Sequence, residues 1–497
     1  MPVQRTAVAL RANSLRRLSP SVDVPTYDRS RLQRSVIHIG VGGFHRSHLA
    51  TYIHELCQAG HRDWSIIGAG VLADDQAMAE VLGAQDCLYT LITRAPLSTE
   101  VEIIGSIVDY VHAVPRADRL IASIADPATQ IVSLTITEGG YPVDDLSGAF
   151  LPESPTAGAD SAFGILAAGL HQRYLQGGPG LTVLSCDNIA GNGGVSRTAT
   201  LGEAHRVSDA LADWIDRSVS FPNSMVDRIT PATTDADRDW LATDVGVIDG
   251  WPVVAESFRQ WVLEDEFAGG RPPLEQLDVL TTTDARPYEL MKLRLLNAAH
   301  SCVAYLAALD RAETLDAAMA VPELHAYTHE FLTREACPVL PPVSGIDLND
   351  YIDSVIERFS NAAIGDQIAR LCLDGSAKFP KFLLPTLRSQ LQAGGPIELG
   401  ALALAAWCHY LGGATDGTEN VAADPMLERA VDHARRARHN PTAFLQFAEV
   451  FGDDLPRSPR LLDAFTRAYR SLQANGVRSA VDAALLRTRG HPHEPDE

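Results

Sequence analysis

The chain has 497 residues, 46% of them hydrophobic, so it is long enough for two or three domains with separate cores. Its formal net charge of -22 argues against nucleic-acid or anionic-membrane partners, which need a basic surface. No apolar run approaches the ~20 residues of a membrane-spanning helix. The seven cysteines are widely spaced and form no CxxC pair, which is typical of reduced residues in a cytoplasmic protein.

The first 34 residues hold seven arginines and two aspartates, and we expect them to form an irregular N-terminal arm. From about residue 36 to residue 186, short β-branched runs alternate with helical stretches, which is typical of a parallel sheet with crossover helices. The runs are too apolar for half-exposed strands, so we expect helices on both faces. The predicted strands are VIHIG, WSIIGAG, VEIIGSIVDYV, IVSLTIT and LTVLSC, with helices over 49–56 and 76–82.

A glycine-rich turn, VIHIGVGGFHRSH, follows the first predicted strand. It matches the dinucleotide-binding pattern GxGxxG at its first two glycines, but His45 takes the third position. The first glycine permits a tight turn, and the second lets a pyrophosphate approach a helix N-terminus. Because the turn opens an alternating α/β segment, it predicts a Rossmann-type domain; the alternative is an ordinary tight turn with packing glycines. The predicted cofactor contacts here are Gly40, Gly42, Gly43 and Phe44.

The second strand of such a domain delivers an acidic side chain to the adenosine ribose of NAD. Asp74 and Asp75 follow this strand with no arginine beside them for a 2′-phosphate, which favours NAD over NADP. Alternatively, one aspartate caps the helix that begins at Gln76, and both roles are compatible. His45 and His48 are three residues apart, but local spacing indicates no third ligand, so we expect no metal.

From Arg286 onward, apolar residues recur every three or four positions almost to the C-terminus, which indicates helices. We therefore place a domain boundary near residue 285. The predicted fold class is α/β: a Rossmann-type domain with a mainly parallel sheet over residues 1–285, including the N-terminal arm, and an all-helical domain over 286–497. The first would bind NAD, and the second would supply substrate-binding and catalytic groups.

Only three of the 41 basic residues are lysines, and all three lie within a stretch of fewer than 100 residues: Lys292, Lys378 and Lys381. A lysine can release its proton and act as a base, which arginine cannot do. At about 100° per residue, a helix places Glu289, Asn297 and His300 within one arc around Lys292, among leucines. Desolvation there favours the neutral amine, as a general base requires. The alternative is a surface helix with an exposed lysine.

Seven strings resemble, in the same order and spacing, the polyol-specific long-chain dehydrogenases. They are HIGVGGFHRSH, AQDCLYTLI, SLTITEGGY, SCDNIAGNG, FPNSMVDRITP, YELMKLRLLNAAHS and DGSAKFPKFLLPTL. The resemblance runs from the N-terminal arm to at least residue 390. It implies a metal-independent enzyme that uses NAD and pairs a Rossmann-type domain with a helical one. The implied reaction is oxidation of D-mannitol to D-fructose and its reverse, by a monomer acting on a small molecule in the cytoplasm.

The same resemblance implies a role for each matching position. Lys292 would be the general acid/base, and Asn188 and Asn297 would hold the developing oxyanion. Glu289 would gate proton exchange with solvent, and His300 would bind substrate. Three further residues would bind sugar hydroxyls: Asp227, Arg370 and Lys378. Lys381 lies in the same motif without an assigned role.

Three alternatives stay open at this stage. A hexuronate reductase of the same family would act on fructuronate or tagaturonate, whose carboxylate could meet Arg370, Lys378 and Lys381. A dehydrogenase for another polyol, such as arabinitol or sorbitol, would share every motif. An NAD-binding regulator would keep the fold without catalysis, although it would have no need for Lys292.

Overall fold

The computed structural model describes residues 7–33, 35–144, 147–414 and 421–490. The chain divides into two compact units, Met1–Arg286 and Pro287–Glu497. The start of the predicted N-terminal arm, residues 1–6, lies outside the described residues. Across the described ranges, none of the helices combines the length and the apolar composition that crossing a bilayer would require.

The first unit contains thirteen short strands within its described residues. They are β1 Val8–Ala9, β2 Val36–Ile39, β3 Ile66–Gly70, β4 Tyr89–Ala95, β5 Ser98–Ile104, β6 Ile107–His112, β7 Ile131–Leu134, β8 Thr182–Ser185, β9 Ser224–Asp227, β10 Val247–Ile248, β11 Val253–Glu256, β12 Gln260–Glu264 and β13 Leu280–Thr282. Five of them, in the order β6-β3-β2-β7-β8, form a parallel sheet.

Helices connect and cover these strands. The α-helices of the first unit are α1 Gly43–Ser47, α2 Leu49–Gln58, α3 Gln76–Ala84, α4 Asp118–Ala125, α5 Ala162–Leu175, α6 Asn192–Val207, α7 Asp209–Ser218 and α8 Asp235–Trp240. Shorter 3₁₀ segments lie at Ala12–Arg17, Arg29–Arg31, Ala73–Asp75, Glu138–Gly140 and Leu274–Leu277, and a π-helical turn at Leu241–Val245.

The five-stranded sheet is buried on both faces. Successive β2 side chains point to opposite sides of the sheet, and each side meets a separate core. Val36 packs in one core with Ile53 of α2. Ile37 packs in another core with Leu166 of α5. The expectation of helices on both faces is confirmed, and so is the Rossmann-type parallel sheet. Strand order reverses beside the central β2, and in open α/β sheets ligands bind at such a point.

One strand prediction is wrong in part. The run VEIIGSIVDYV was expected to extend the parallel sheet as a whole, but only its second half does so, as β6. Its first half belongs to β5, which pairs antiparallel with β4 in a separate sheet of order β11-β4-β5. The strand is interrupted at Gly105, where a Cβ would lie 2.9 Å from Pro25. One apolar run therefore contributes strands to two sheets. A third sheet has the order β13-β12-β9.

The second unit is built from helices, as predicted. They are α9 Arg286–Lys292, which starts at the last residue of the first unit, α10 Ala298–Leu309, α11 Leu315–Met319, α12 Pro322–Glu330, α13 Leu348–Phe359, α14 Ile368–Leu371, α15 Gly375–Phe382, α16 Leu384–Ala393, α17 Glu398–Ala414, α18 Leu427–Ala437, α19 Ala448–Phe451 and α20 Pro459–Arg489. Short 3₁₀ segments lie at Cys337–Val339, Pro441–Gln446 and Leu455–Arg457, and π-helical turns at Leu293–Asn297 and Phe331–Ala336.

The core of this unit forms around α17, whose sequence ELGALALAAWCHYLGGA is apolar on nearly every side. A helix of that composition is stable only when it is buried all round. It packs against α10 and α20, and its Trp407 is 1% exposed. This central helix therefore fixes the position of α10, the helix that carries His300.

Candidate active site

The turn after β2 depends on two glycines for different reasons. Gly40 has φ +92°, and a Cβ placed on it would lie 2.1 Å from the carbonyl oxygen of Thr135. Gly42 caps the N-terminus of α1, and a Cβ placed there would have the Gly40 oxygen, 4.0 Å away, as its nearest neighbour. Gly40 therefore permits the turn, whereas Gly42 leaves one side open to a ligand approaching the backbone.

The helix beyond the turn begins with two other predicted cofactor contacts. Gly43 is the first residue of α1 and is partly exposed. The Phe44 ring stacks on His48, with 4.9 Å between ring centroids. His48 itself donates through Nε2 to the carbonyl of Gln260, at 3.1 Å, and occupies the kink between α1 and α2. The predicted turn residues therefore share one edge of the sheet.

A pair of buried histidines lies beneath the turn. His45, at the third position of the glycine pattern, stacks on His38 with 3.4 Å between ring centroids. Burial lowers the pKa of His38 to about 3 and the pKa of His45 well below its usual value, so both are neutral. Nε2 of His38 lies 2.8 Å from Oγ1 of Thr135, whose hydroxyl donates to the Gly40 carbonyl at 2.6 Å. His45 therefore packs under the turn.

The two candidate ribose contacts differ in their surroundings. Asp74 is exposed after β3. Asp75 accepts from the backbone N–H of Leu72 at 2.8 Å, so it caps the short helix before α3. A Cβ on Gly70 would lie 2.4 Å from Cβ of Asp75 and 2.5 Å from the Tyr110 hydroxyl oxygen, which is buried without a hydrogen-bond partner. Asp75 therefore lies against the end of β3, near the Tyr110 hydroxyl.

The segment after β8 carries the first predicted oxyanion contact. Asn188 is exposed, whereas the preceding Asp187 is buried. The Asp187 carboxylate accepts hydrogen bonds from the backbone N–H groups of Ile136 and Thr137 and from the Tyr141 hydroxyl, at 3.0, 2.9 and 2.7 Å. Burial raises the Asp187 pKa to about 6. The loop after β7 is thus joined to the segment that bears Asn188.

Asp227, a predicted substrate contact, ends β9 and is 2% exposed. The next residue, Arg228, is a buried guanidinium whose pKa burial lowers to about 10. Arg228 donates to the carbonyl of Glu256 at 2.9 Å and to the carbonyl of Ser47 in α1. Arg228 therefore ties the strand that carries Asp227 to the helix that follows the glycine turn.

In the second unit, Lys292 is the last residue of α9 and is only 6% exposed. Glu289, one turn earlier, is also buried. A regular helix was expected through His300, but the chain forms a π-helical turn over Leu293–Asn297 before α10 begins. This turn is wider than an α-helical one, so the regular wheel misplaces Asn297 and His300 relative to Lys292. Such turns occur often at functional sites.

His300 has a distinctive environment. Its ring stacks on Phe359 with 4.1 Å between centroids, and its buried Nε2 has no hydrogen-bond partner. Burial lowers the His300 pKa well below its usual value. Four nearby cations lower it further: Arg370, Arg358, Lys378 and Lys292. His300 is therefore a neutral imidazole with one nitrogen available to a polar ligand.

The charges around His300 are partly balanced. Arg370 makes a two-pronged ion pair with Asp366, with nitrogen-to-oxygen distances of 2.8 and 2.5 Å. Lys378 donates through Nζ to the Leu371 carbonyl at 3.3 Å. Lys381 follows one turn later on α15. The second unit thus brings Lys292, Arg370 and Lys378 close to one histidine.

Sequence reasoning missed three buried residues that border these groups. Asp187 and Arg228 directly adjoin predicted site positions, and adjacency was the signal that could have marked them. Arg358 on α13 was also missed, and it is 8% exposed beside His300. Its sequence context, an arginine in an amphipathic helix, carries no such signal.

Comparison with known proteins places this geometry in a family. Residues 34–276 match the model described as the mannitol dehydrogenase Rossmann domain, and residues 284–473 match the mannitol dehydrogenase C-terminal domain. A mannitol 2-dehydrogenase of Cereibacter sphaeroides is 42% identical over 475 residues, covering 93% of this chain and 99% of the relative.

Two solved structures are also similar over nearly their whole length. The ternary complex of Pseudomonas fluorescens mannitol 2-dehydrogenase with NAD and D-mannitol has a TM-score of 0.90 and 41% identity, covering 96% of this chain and 100% of the other. A substrate-free D-sorbitol dehydrogenase has a TM-score of 0.83 and 34% identity, covering 95% and 100%. The chain therefore belongs to the mannitol dehydrogenase family.

Proposed function

We propose that the chain is an NAD-dependent mannitol 2-dehydrogenase, which oxidises D-mannitol to D-fructose and catalyses the reverse reduction. The observation that carries the proposal is the similarity, over almost the whole chain, to the Pseudomonas fluorescens enzyme in complex with NAD and D-mannitol. The glycine turn and the buried lysine supply the two functions that such a reaction needs, which are cofactor binding and proton transfer. A cytoplasmic monomer is part of the proposal.

The residues around the glycine turn fit a dinucleotide. Gly42 has an open side beside the first N–H groups of α1, and Gly43 and Phe44 continue the same edge. At the end of β3, Asp75 and the unpartnered Tyr110 hydroxyl offer an acceptor and a donor to ribose hydroxyls, with Asp74 exposed beside them. NAD, when bound, supplies the hydride acceptor. Gly40 contributes indirectly because it permits the turn.

Lys292 is proposed as the general base that takes the hydroxyl proton of the carbinol and returns it in the reverse direction. It is 6% exposed, and a lysine can release and take up a proton, which an arginine cannot do. Asn188 and Asn297 are proposed to donate amide hydrogen bonds to the oxygen as negative charge develops on it, typically worth about 3 kcal/mol per donor. Glu289 is proposed to pass the proton between Lys292 and solvent.

Polar side chains are proposed as partners for the substrate hydroxyls. His300 offers its unpartnered Nε2 as an acceptor for a hydroxyl hydrogen. Arg370 and Lys378 are proposed as donors, and Asp227 as an acceptor. A neutral imidazole suits an uncharged polyol, because it can bind a hydroxyl without adding to the surrounding positive charge.

A hexuronate is the competing substrate, because Arg358, Arg370 and Lys378 together could hold a carboxylate. Asp366, which is 3% exposed, already pairs with both prongs of Arg370 and reduces the charge available for such a ligand. This pairing favours the uncharged polyol. Sorbitol stays a candidate because the D-sorbitol dehydrogenase structure is also similar.

The test follows NADH formation or loss with the purified protein. Mannitol, sorbitol and arabinitol are offered with NAD, and fructose, fructuronate and tagaturonate are offered with NADH. We expect the highest kcat/KM with mannitol and fructose. Turnover with the uronates alone would replace the proposed substrate, and NAD binding without turnover of any compound would indicate a regulator.

A further inference from the structure

Asp187 is a buried carboxylate with an unusual position. It is 9% exposed and lies immediately before Asn188, yet its partners come from a loop about 50 residues earlier in the chain. One carboxylate oxygen accepts from the Thr137 N–H at 2.9 Å. The other accepts from the Ile136 N–H at 3.0 Å and from the Tyr141 hydroxyl at 2.7 Å. Two successive backbone donors are thus held by one side chain.

The residue held in this way is strained. Thr137 has φ +62° and ψ 166°, a region that essentially only glycine occupies. A β-branched side chain is especially unfavourable at positive φ. Such a conformation persists only when surrounding contacts enforce it, and the hydrogen bond from Thr137 to Asp187 is one of these contacts.

The loop that starts at Thr135 also lies against the glycine turn. The Thr135 hydroxyl donates to the Gly40 carbonyl at 2.6 Å, and the Gly40 conformation leaves no space for a side chain beside the Thr135 carbonyl. A shift of residues 135–137 would therefore move against the turn that is proposed to bind the cofactor. The loop and the glycine turn are therefore in direct contact.

Asp187 also shapes the segment that carries Asn188. Its backbone carbonyl accepts from the Ile189 N–H at 2.9 Å and from Nδ2 of Asn192 at 3.1 Å. Asn192 is fully buried and also donates through Nδ2 to the Ser224 carbonyl at 2.8 Å. One residue thus joins the loop after β7, the turn after β8 and the start of α6.

We propose that Asp187 is a positioning residue, whose carboxylate holds the strained Thr137 loop so that the glycine turn and Asn188 keep one fixed relation at the edge of the sheet. This inference rests on the proposed function, because Asp187 would affect hydride transfer only through the positions of the glycine turn and Asn188. Asp187 is not proposed to contact either reacting atom. Its removal should impair the reaction step more than cofactor binding.

The experiment compares four full-length proteins: wild type, Asp187→Asn, Asp249→Asn and the double variant Asp187→Asn/Thr137→Gly. Asp249 is the matched control, because it is 5% exposed and accepts from two backbone N–H groups, those of Thr90 and Trp251, and from one side chain. Three properties are measured: kcat and KM for mannitol, the dissociation constant of NAD by protein fluorescence, and hydrogen exchange of residues 136–140.

We expect Asp187→Asn to lower kcat on the order of 100-fold, as a small misplacement of reacting groups can do, with NAD binding close to that of wild type. Exchange at Thr137 should increase. The double variant should recover most of the lost kcat, because glycine adopts this backbone conformation without the carboxylate. Asp249→Asn should keep kcat near wild type.

Three results would overturn the inference: unchanged kcat in Asp187→Asn, an equal loss in Asp249→Asn, or no recovery in the double variant. A wild-type protein that binds NAD but turns over no polyol would contradict the proposed function instead. In that case the exchange of residues 136–140 still decides whether Asp187 holds the loop, since protection that is unchanged in Asp187→Asn would refute it.

Discussion

Two residues of the first unit and one of the second hold their polar atoms in opposite ways. In the first unit, Asp187 and Arg228 have protein partners for their polar atoms at the ends of strands and helices. In the second unit, His300 keeps a buried nitrogen without a hydrogen-bond partner, beside a group of cations. A polar atom already satisfied by the protein can position its neighbours. A buried atom without a partner favours the arrival of a ligand, because its desolvation is otherwise uncompensated.

The difference predicts that substitutions in the second unit act on proton transfer and substrate binding, whereas those in the first act on cofactor binding and on the positions of the reacting groups. Lys292→Ala should lower kcat by roughly 10²- to 10⁴-fold through loss of the general base, while NAD binding stays near normal. Lys292→Met, which keeps more of the side-chain volume, should lose as much. Steady-state kinetics and an NAD titration measure both effects. Equal loss of turnover and NAD binding would show that Lys292 is structural.

Gly40→Ala should produce the reverse pattern. The added methyl would meet the Thr135 carbonyl at 2.1 Å in a backbone with φ +92°. We expect the dissociation constant of NAD to rise on the order of 100-fold, equivalent to about 3 kcal/mol, within the range for a forced backbone shift. Fluorescence titration with NAD measures it. Gly83→Ala is the control, because a Cβ there meets nothing within 4 Å, and normal NAD binding in Gly40→Ala would refute the assignment of the turn.

His300→Phe should lower kcat/KM for mannitol by roughly 10- to 100-fold, the cost of leaving a substrate hydroxyl unpaired in a buried site. Most of the loss should be in KM, because the residue is proposed to bind substrate in both the ground and transition states. Phe359→Leu removes the ring that stacks on His300 but keeps Nε2, so it should have a smaller effect. A His300→Phe enzyme with wild-type KM would contradict the substrate-binding role.

Asp187 should make stability depend on pH. Its pKa is raised from 3.8 to about 6, chiefly by burial. Between these values the native state holds a proton that the unfolded chain has released, so the free energy of unfolding should fall as pH rises, by up to about 1.4 kcal/mol per pH unit. Urea unfolding of wild type and Asp187→Asn across this window isolates the contribution. A difference between the two proteins that does not change with pH would show that Asp187 titrates normally.

Much of the fold could be read from local patterns. Alternating β-branched runs and helical stretches identify the parallel sheet, because each strand is buried on two faces and each crossover helix follows it directly. The helical second unit follows from apolar spacing in the same way. The pattern did not reveal that VEII belongs to a second sheet. Strand pairing depends on contacts distant in sequence, and an apolar run carries no information about its partner.

Some features of the candidate site are likewise visible in the local sequence, and others appear only in the structure. The glycine turn and the segment around Lys292 are short, contiguous motifs, so the sequence marks them directly. The roles of their individual residues stay predictions. The π-helical turn after Lys292 was not foreseen, because a wheel assumes a regular helix, and it changes the direction of Asn297 and His300.

By itself, the sequence determined the α/β and helical character of the two regions, the place of the glycine turn, the rarity of lysine and the family. Each of these depends on residues that are neighbours in the chain or on strings of specific residues. Only the tertiary structure decided that Asp187 holds Thr137, that Arg228 reaches Ser47 and that four basic side chains lie near enough to His300 to lower its pKa. These contacts join segments tens to nearly two hundred residues apart, and side-chain geometry rather than residue type determines which atoms meet.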